Sequence, residues 1–374
     1  MTEEPELGPV LLVDLATGFG GAEMRVIDTA LLLGNSVECS ILALAETPLY
    51  RRARAAGISV HPLPYRRHDP RIVMAIRALI RSHRYRVVDA HNVQSQLWGL
   101  MAARAEGVPV RVSTVHSEYR FENPGLKGWA HEQVLRRNAA WGSSFVAVSD
   151  GIARYLRAFL GSGAEIELIR RAFPVPAPPG GAPIRGSHLG WDEGDFVVGV
   201  IGRLAHAKGH SVLLRALSIL RQRGVRLRCY IAGDGAVREN LELEAHSSGL
   251  DDSVHFAGFR EDVGSVLAFI DLLCLPSLTE GLPNVVLEAV VSRVPLVATS
   301  VGEIPSLLRD GQDALLVPPN DPVAMAAALE QARAMSEGLS RLADSAYDTL
   351  AQVLSGDWTA QTVEHYRRTQ RSPR

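Results

Sequence analysis

The chain has 374 residues, of which 47% are hydrophobic and 21% are charged, and its net charge is −2. At roughly 150 residues per domain, this length predicts about two globular domains. The near-neutral charge excludes a dedicated nucleic-acid-binding protein, which would carry a strongly basic surface. The three cysteines, Cys39, Cys229 and Cys274, share no metal-ligand spacing and lie in apolar segments, so we expect buried, reduced thiols.

The first half of the chain alternates strand-like and helix-like segments. This alternation is typical of a parallel sheet with crossover helices. Helical patterns run through Leu33 and over residues 71–83. The predicted strands are 10–13, 37–44, 87–91, 110–116 and 145–149.

A segment rich in proline and glycine, residues 173–183, then interrupts the pattern, because it cannot continue a helix or a central strand. The alternation restarts after it. The predicted strands of the second half are 196–201, 227–232, 254–256, 272–275, 296–298 and 314–317. We therefore expect an α/β protein of two facing, Rossmann-like, doubly wound domains with a ligand cleft between them. The predicted parts are an N-terminal domain (1–176), a linker (177–186), a C-terminal domain (187–356) and a C-terminal helix (357–374).

Residues 1–6 are acidic and lack the basic, then apolar, pattern of a signal peptide. The apolar runs fall short of the roughly 18 residues of a membrane span. We therefore expect a cytoplasmic protein. Part of the first domain is locally basic, which is typical either of a solvated helical face or of a peripheral contact with the inner face of a membrane. The arginines concerned are Arg51, Arg52, Arg54, Arg66, Arg67, Arg71, Arg77 and Arg81.

The most informative stretch is residues 280–289, which place Glu280 and Glu288 eight residues apart across a Gly-Pro turn. The turn follows a predicted strand and precedes an apolar helix, so it lies at the carboxyl edge of the sheet, where open α/β folds bind ligands. A helix N-terminus there suits phosphates or sugar hydroxyls. A glutamate accepts hydrogen bonds from two neighbouring hydroxyls at once.

Two cations, Arg203 and Lys208, lie on another loop of that edge, between Gly202 at the end of a strand and a helix beginning near His210. An arginine fork and a lysine point charge together suit a leaving diphosphate. A solvated basic loop would have the same sequence, so the pair alone leaves both interpretations open.

The first domain carries weaker signals. Gly20 and Gly21 follow the first strand, where paired glycines allow close approach to an anion or a sugar; a tight turn is the alternative. His116 ends a predicted strand and points to the cleft, although a lone histidine is more often structural. His91 ends the preceding strand and is interpreted as structural. In the second domain, the edge loops at 233–235 and 258–260 could hold a base or a ribose, or be ordinary turns.

Together these segments resemble glycosyltransferase family 4, retaining nucleotide-sugar transferases of the GT-B type with two Rossmann-like domains. Order and spacing agree over most of residues 196–322, and the first domain matches more loosely through residues 20–23, His91 and His116. The resemblance implies that the tail from Trp358 crosses back onto the first domain. The matching segments are 202–204, 208–209, 233–235, 280–284, 288–289, 297–299, 301–305 and 315–319 with Asp321.

The resemblance also implies roles. Arg203 and Lys208 would hold the donor diphosphate, Glu288 the ribose, and Glu280 the transferred sugar. His116 would contact that sugar or the acceptor. The further donor-binding residues would be Gly20, Gly21, Gly202, Gly233, Asp234, Arg260, Gly281, Leu282, Pro283 and Asn284. No metal and no cofactor are expected, since the sequence has no Asp-x-Asp motif; the nucleotide-diphosphate sugar is a co-substrate.

The chain departs from the family pattern at three places. Residues 169–173 stand where Asn-Gly is common, and Glu303 replaces the usual second glycine after Gly302. Asp313 and Ala314 take a place usually held by Asn-Gly. A sugar-nucleotide epimerase, a glycoside phosphorylase and a non-catalytic nucleotide-sugar-binding module are the alternatives. The acceptor could be a carbohydrate, a lipid-linked molecule or a small molecule, and no nucleic-acid partner is expected.

Overall fold

The computed structural model describes residues 7–34, 37–122, 125–170, 183–281, 283–353 and 358–371. The chain divides into two compact units. The first unit is Met1–Arg171 with Asp357–Arg374, and the second unit is Ala172–Gly356.

The first unit contains a seven-stranded sheet in which every neighbouring pair is parallel. Its strands are β1 (Val10–Asp14), β2 (Cys39–Leu44), β3 (Ser59–Leu63), β4 (Val87–His91), β5 (Val110–Val115), β6 (Ser144–Ala147) and β7 (Ile166–Leu168). The spatial order is β3-β2-β1-β4-β5-β6-β7. The chain therefore reverses its direction of travel between β1 and β4, and the carboxyl ends of these strands flank the topological switch point where such sheets bind ligands.

Helices cover this sheet. They are α1 (Gly21–Leu33), α2 (Pro48–Ala55), α3 (Arg71–His83), α4 (Val93–Ala105), α5 (Tyr119–Glu122), α6 (Leu126–Ala140) and α7 (Asp150–Leu160). In α3 the sequence period fixes the packing face, because Ile72, Ile76 and Ile80 recur every fourth residue and are all buried. The helix ends at His83, and its C-cap residue Arg84 adopts a left-handed conformation with φ 53°.

The second unit contains a six-stranded sheet, also parallel throughout. Its strands are β8 (Val197–Ile201), β9 (Arg228–Ala232), β10 (Val254–Gly258), β11 (Leu272–Leu275), β12 (Leu296–Thr299) and β13 (Leu315–Val317). The order β10-β9-β8-β11-β12-β13 places the switch point between β8 and β11. Its helices are α8 (His210–Gln222), α9 (Arg238–Ser247), α10 (Val263–Phe269), α11 (Asn284–Val291), α12 (Ile304–Leu307), α13 (Pro322–Ala334) and α14 (Ser336–Val353).

The last helix, α15 (Trp358–Arg371), belongs to the first unit. Tyr366 is fully buried there, and its hydroxyl donates a hydrogen bond to Asp89 Oδ2 at 2.7 Å. His365 Nε2 lies 3.0 Å from the hydroxyl of Ser144. The guanidinium of Arg25 lies 5.1 Å from the centre of the Trp358 ring system. The tail thus supplies part of the interior of the first unit.

The doubly wound α/β architecture predicted from the sequence is confirmed in each unit. Two strands had no prediction, β3 and β7, and both lie at the edges of the first sheet. Strand β3 contains Pro62 and is mostly not buried, so it lacks the apolar run of a central strand. Cys229 and Cys274 are buried as expected, but Cys39 is partly exposed, so the expectation of a buried thiol is wrong there. Most of the predicted linker lies outside the described residues.

Candidate functional site

The loops at the carboxyl edge of the second sheet form one connected layer. They are the loops that follow β8, β9, β11 and β12. Backbone N–H groups of one loop donate to carbonyls of the next, so none of these loops is held by its own strand alone. The backbone N–H of Leu204 donates to the carbonyl of Asp234 (2.9 Å), that of Leu278 to the carbonyl of Ala207 (2.8 Å), and that of Glu303 to the carbonyl of Gly281 (3.1 Å).

Three glycines make this close approach possible. A Cβ atom at any of them would fall far inside the contact distance of a carbonyl oxygen on a neighbouring loop. Gly209 and Gly302 also have positive φ angles, 65° and 60°, which side-chain-bearing residues rarely adopt. An added Cβ at Gly209 would lie 2.0 Å from the carbonyl oxygen of Pro276. The corresponding distances are 1.8 Å from a Cβ at Gly233 to the carbonyl oxygen of Gly202, and 2.3 Å from a Cβ at Gly302 to that of Glu280.

Glu280 is the centre of a hydrogen-bonded cluster on this layer. Its Oε1 accepts from Lys208 Nζ and from Ser277 Oγ, each at 2.6 Å. The Glu280 side chain is 7% exposed and that of Lys208 26% exposed. Ser277 is itself fixed, because Thr299 Oγ1 donates to its carbonyl at 2.6 Å. The carboxylate is therefore oriented before any ligand arrives.

The second predicted cation differs from the first. Arg203 is exposed and, among the residues that the structure describes, has neither an ion pair nor a hydrogen bond. It follows Gly202, whose φ of 157° turns the chain out of β8. Of the two cations at this edge, one is thus already paired with a carboxylate, and the other is available to an anion.

The turn after Glu280 leads into α11, which begins at Asn284 with Pro283 at its N-cap. Glu288 lies four residues further along, about one helical turn from the N-terminus. Both predicted carboxylates thus flank the start of one helix. Leu282 lies outside the described residues.

Two other predicted donor-binding residues are engaged in local contacts. Arg260 makes a two-pronged contact with Asp262, from Nε to Oδ1 at 2.8 Å and from one terminal nitrogen to Oδ2 at 2.6 Å. Asp234 Oδ1 accepts from the backbone of Gly235 at 2.7 Å. The sequence pattern that suggested these loops gave no sign of either contact.

The edge of the first sheet carries the remaining predicted residues. Gly20 is the N-cap of α1 and Gly21 its first residue, and both are exposed. Nearby, Asp14 ends β1 and is fully buried. Burial and the charge of Glu23 hold the pKa of Asp14 well above its usual range, and Asn92 donates to its Oδ1 at 2.5 Å.

Two histidines meet at this edge. His91 Nδ1 lies 2.9 Å from His116 Nε2. Burial lowers the pKa of His91 to about 3. Burial, His91 and Arg25 together hold the pKa of His116 well below its usual value. Both imidazoles are therefore neutral at pH 7. His91, interpreted from the sequence as structural, directly contacts the predicted functional histidine.

Sequence reasoning missed Ser277 and Thr299. The available signal was a hydroxyl three residues before Glu280, at the end of an apolar strand, where its side chain can reach back to the carboxylate. Among the described residues, no group of three or more His, Cys, Asp or Glu side chains is arranged to hold a metal ion. No helix in the described part of the chain is both long and apolar enough to cross a membrane.

Comparison with known proteins identifies both halves of the chain. The family model "Glycosyltransferase Family 4" matches residues 19–175, and "Glycosyl transferases group 1" matches residues 195–334. The 2-deoxystreptamine glucosyltransferase of Streptomyces kanamyceticus is 26% identical over 310 residues, covering 72% of this chain and 71% of that protein. The alpha-D-kanosaminyltransferase of the same organism is 36% identical over 159 residues, 42% of this chain and 41% of that protein.

A solved structure agrees with these matches. The crystal structure of Anabaena Alr3699/HepE in complex with UDP and glucose superimposes with a TM-score of 0.80 at 20% identity, covering 96% of this chain and 99% of that one. At this identity the likeness establishes the fold. Fold and family models agree over both units, and the chain belongs to the family 4 glycosyltransferases of the GT-B fold.

Proposed function

We propose that this glycosyltransferase takes its sugar from a nucleoside-diphosphate donor and transfers it to an acceptor hydroxyl with retention of anomeric configuration. The observation that carries the proposal is the layer of edge loops that holds Arg203, Lys208, Glu280 and the start of α11 together. Cations and a helix N-terminus suit a diphosphate, and a fixed carboxylate suits sugar hydroxyls. The UDP and glucose bound to the Anabaena relative are of the same chemical kind.

In the proposed reaction, the bond between the anomeric carbon and the diphosphate oxygen breaks while the acceptor oxygen bonds to that carbon from the same face. The acceptor's proton passes to the leaving phosphate oxygen, so no side chain has to act as a strong base. Arg203 and Lys208 stabilise the charge that develops on the diphosphate. Because these cations and the helix N-terminus supply that stabilisation, we propose that the reaction needs no metal ion.

In this proposal, donor binding changes the partners of Lys208 and Glu280, which form an ion pair in the free protein. The diphosphate competes with Glu280 for Lys208. The sugar hydroxyls then donate hydrogen bonds to the Glu280 carboxylate in place of Lys208. Ser277 keeps its bond to Oε1 and holds Glu280 in place during this exchange. Glu288, one turn into α11, binds the ribose hydroxyls in the same proposal.

For the acceptor we favour a soluble, hydroxyl-rich molecule over a lipid. Several arginines of the basic region are paired in the structure, which reduces the positive charge available to an anionic membrane. The pairs are Arg51 with Glu46, Arg71 with Asp69, and Arg77 and Arg81 with Glu106. The relative from Streptomyces kanamyceticus is named a 2-deoxystreptamine glucosyltransferase, which agrees with a small acceptor.

The test is a calorimetric titration of the protein with UDP, GDP, ADP and dTDP in the presence of a chelator. Selective binding of one nucleotide is expected, and its loss in Arg203→Ala would tie the binding to the edge layer. Binding of none of the four would contradict the proposal.

Product analysis with the matching nucleotide sugar then separates the alternatives. NMR of the product is expected to show the donor's anomeric configuration in a new glycosidic bond. An epimerase would change the sugar without any acceptor, and a phosphorylase would require free phosphate.

A further inference from the structure

A chain of buried side chains leads from the C-terminal helix to His116. The Tyr366 hydroxyl donates to Asp89 Oδ2, and the Thr114 hydroxyl donates to Asp89 Oδ1, each at 2.7 Å. His91 Nε2 lies 3.7 Å from Asp89 Oδ1. On the other side of the ring, His91 Nδ1 lies 2.9 Å from His116 Nε2. Every step except the 3.7 Å contact is at hydrogen-bond distance.

The protonation of this chain follows from its partners. A neutral imidazole has one N–H donor and one acceptor nitrogen. His91 Nε2 is buried without a hydrogen-bond partner among the described residues. A proton on Nε2 would face Asp89 Oδ1, whereas a lone pair there would face an oxygen that already accepts a hydrogen bond from Thr114. The proton of His91 therefore belongs on Nε2, and its Nδ1 accepts.

His116 must then be the donor in the contact between the two rings. Its Nε2 carries the proton, and its Nδ1 carries a lone pair. His116 is only partly buried, and no described residue donates a hydrogen bond to this Nδ1. The nearby cation Arg25, held by the carbonyl of Ile169 at 2.9 Å, opposes a second proton on either ring.

We propose that His91 is a positioning residue that holds His116 in the Nε2–H tautomer, so that His116 Nδ1 accepts a hydrogen bond from a carbohydrate hydroxyl. Asp89 sets the tautomer of His91, and Tyr366 holds Asp89, so the C-terminal helix acts on His116 through two intermediates. The identity of the hydroxyl rests on the proposed glycosyl transfer. The tautomer does not, since it follows from the contacts within the first unit.

The direct test is long-range ¹H–¹⁵N NMR on protein labelled with ¹⁵N-histidine. The His116 signals are assigned by their disappearance in His116→Gln. In the unsubstituted protein, Nε2 is expected to show the shift of a protonated nitrogen and Nδ1 that of an unprotonated one. A proton on Nδ1 would overturn the proposal without any activity assay.

Two substitutions at position 91 separate positioning from packing. His91→Phe keeps a ring but removes the acceptor, so His116 is expected to become a mixture of tautomers, with a fall in turnover of about tenfold, as for a lost hydrogen bond of about 1.4 kcal/mol. His91→Asn places an amide oxygen near the former Nδ1. It is expected to restore both the tautomer and most of the turnover.

His61→Phe is the matched control, because His61 also makes a side-chain hydrogen bond in this unit, to the Tyr85 hydroxyl at 2.8 Å, but at the sheet edge in β3. It is expected to leave the His116 signals and the turnover unchanged. Unaltered His116 signals in His91→Phe would refute the proposal, as would equal turnover in the Phe and Asn variants. An intact tautomer in a protein that transfers no sugar would instead count against the proposed function.

Discussion

Replacing Gly302 by alanine is expected to lower turnover by more than the accompanying loss of stability would explain. The added Cβ would lie 2.3 Å from the carbonyl oxygen of Glu280 and 2.5 Å from that of Gly281. Since real Cβ atoms keep at least 3.0 Å from such neighbours, the loop must retreat by about 0.7 Å. That loop carries the Glu280 carboxylate.

Gly249→Ala provides the matched control. Gly249 has a φ of 65°, close to the 60° of Gly302, but a Cβ there would meet nothing within 4 Å. Both variants therefore share the cost of a left-handed alanine, about 1 kcal/mol. Only Gly302→Ala adds the cost of overpacking, about 1–3 kcal/mol.

Urea unfolding of the two variants measures this difference in the free energy of unfolding, and turnover of the nucleotide sugar measures the effect on the site. Gly302→Ala is expected to lose roughly 10- to 100-fold in turnover, since a shift of about 1 Å costs up to about 10²-fold. Gly249→Ala should keep normal turnover. Equal stability and equal turnover in the two variants would refute the inference that the loops support one another.

Three further predictions address single residues. Arg203→Ala and Lys208→Ala should each lower turnover about 10²- to 10³-fold, the scale for one preorganised charge donor, and near-normal steady-state rates in both would contradict their role. Glu288→Gln should mainly raise KM for the nucleotide sugar, which a donor titration at saturating acceptor measures. Burial acts to raise the pKa of Asp313, but hydrogen bonds from Arg309 and Ser345 outweigh it and hold that pKa at about 2, below the usual 3.8. This stabilisation is present above about pH 4 and is lost as the pH falls towards 2, so Asp313→Asn should flatten that part of the pH dependence of unfolding.

The central strands could be predicted from the sequence, because strands buried on both faces read as continuous apolar runs. Strand β11 was predicted with its observed bounds, and β8 within one residue. Those strand ends also located the edge loops, and with them Arg203, Lys208 and Glu280. The sheet edges were not predictable in this way, because a half-exposed strand such as β3 has no such run.

Contacts between residues that are distant in the sequence could not be predicted, because a single sequence does not show which polar groups pair in the fold. Arg228 lies in β9 with a side chain 2% exposed, paired with Asp195 at 2.6 Å, which no local pattern indicates. The same holds for the contact between His91 and His116, which lie 25 residues apart in the sequence. Residue types and periods thus indicated the loops at the carboxyl edge of the second sheet, and only the three-dimensional arrangement showed which side chains restrain them.

The position of α15 has a consequence for how the newly made chain matures. Tyr366 reaches Asp89 across 277 residues of sequence, and the whole second unit is synthesised between them. Most of the first unit is therefore synthesised early, but Asp89 cannot accept the hydrogen bond from Tyr366 until α15 has been synthesised. A chain that ends before α15 would lack the hydrogen bond from Tyr366 to Asp89. The hydrogen-bond partners of Asp89 in the first unit are thus complete only once α15 has been synthesised.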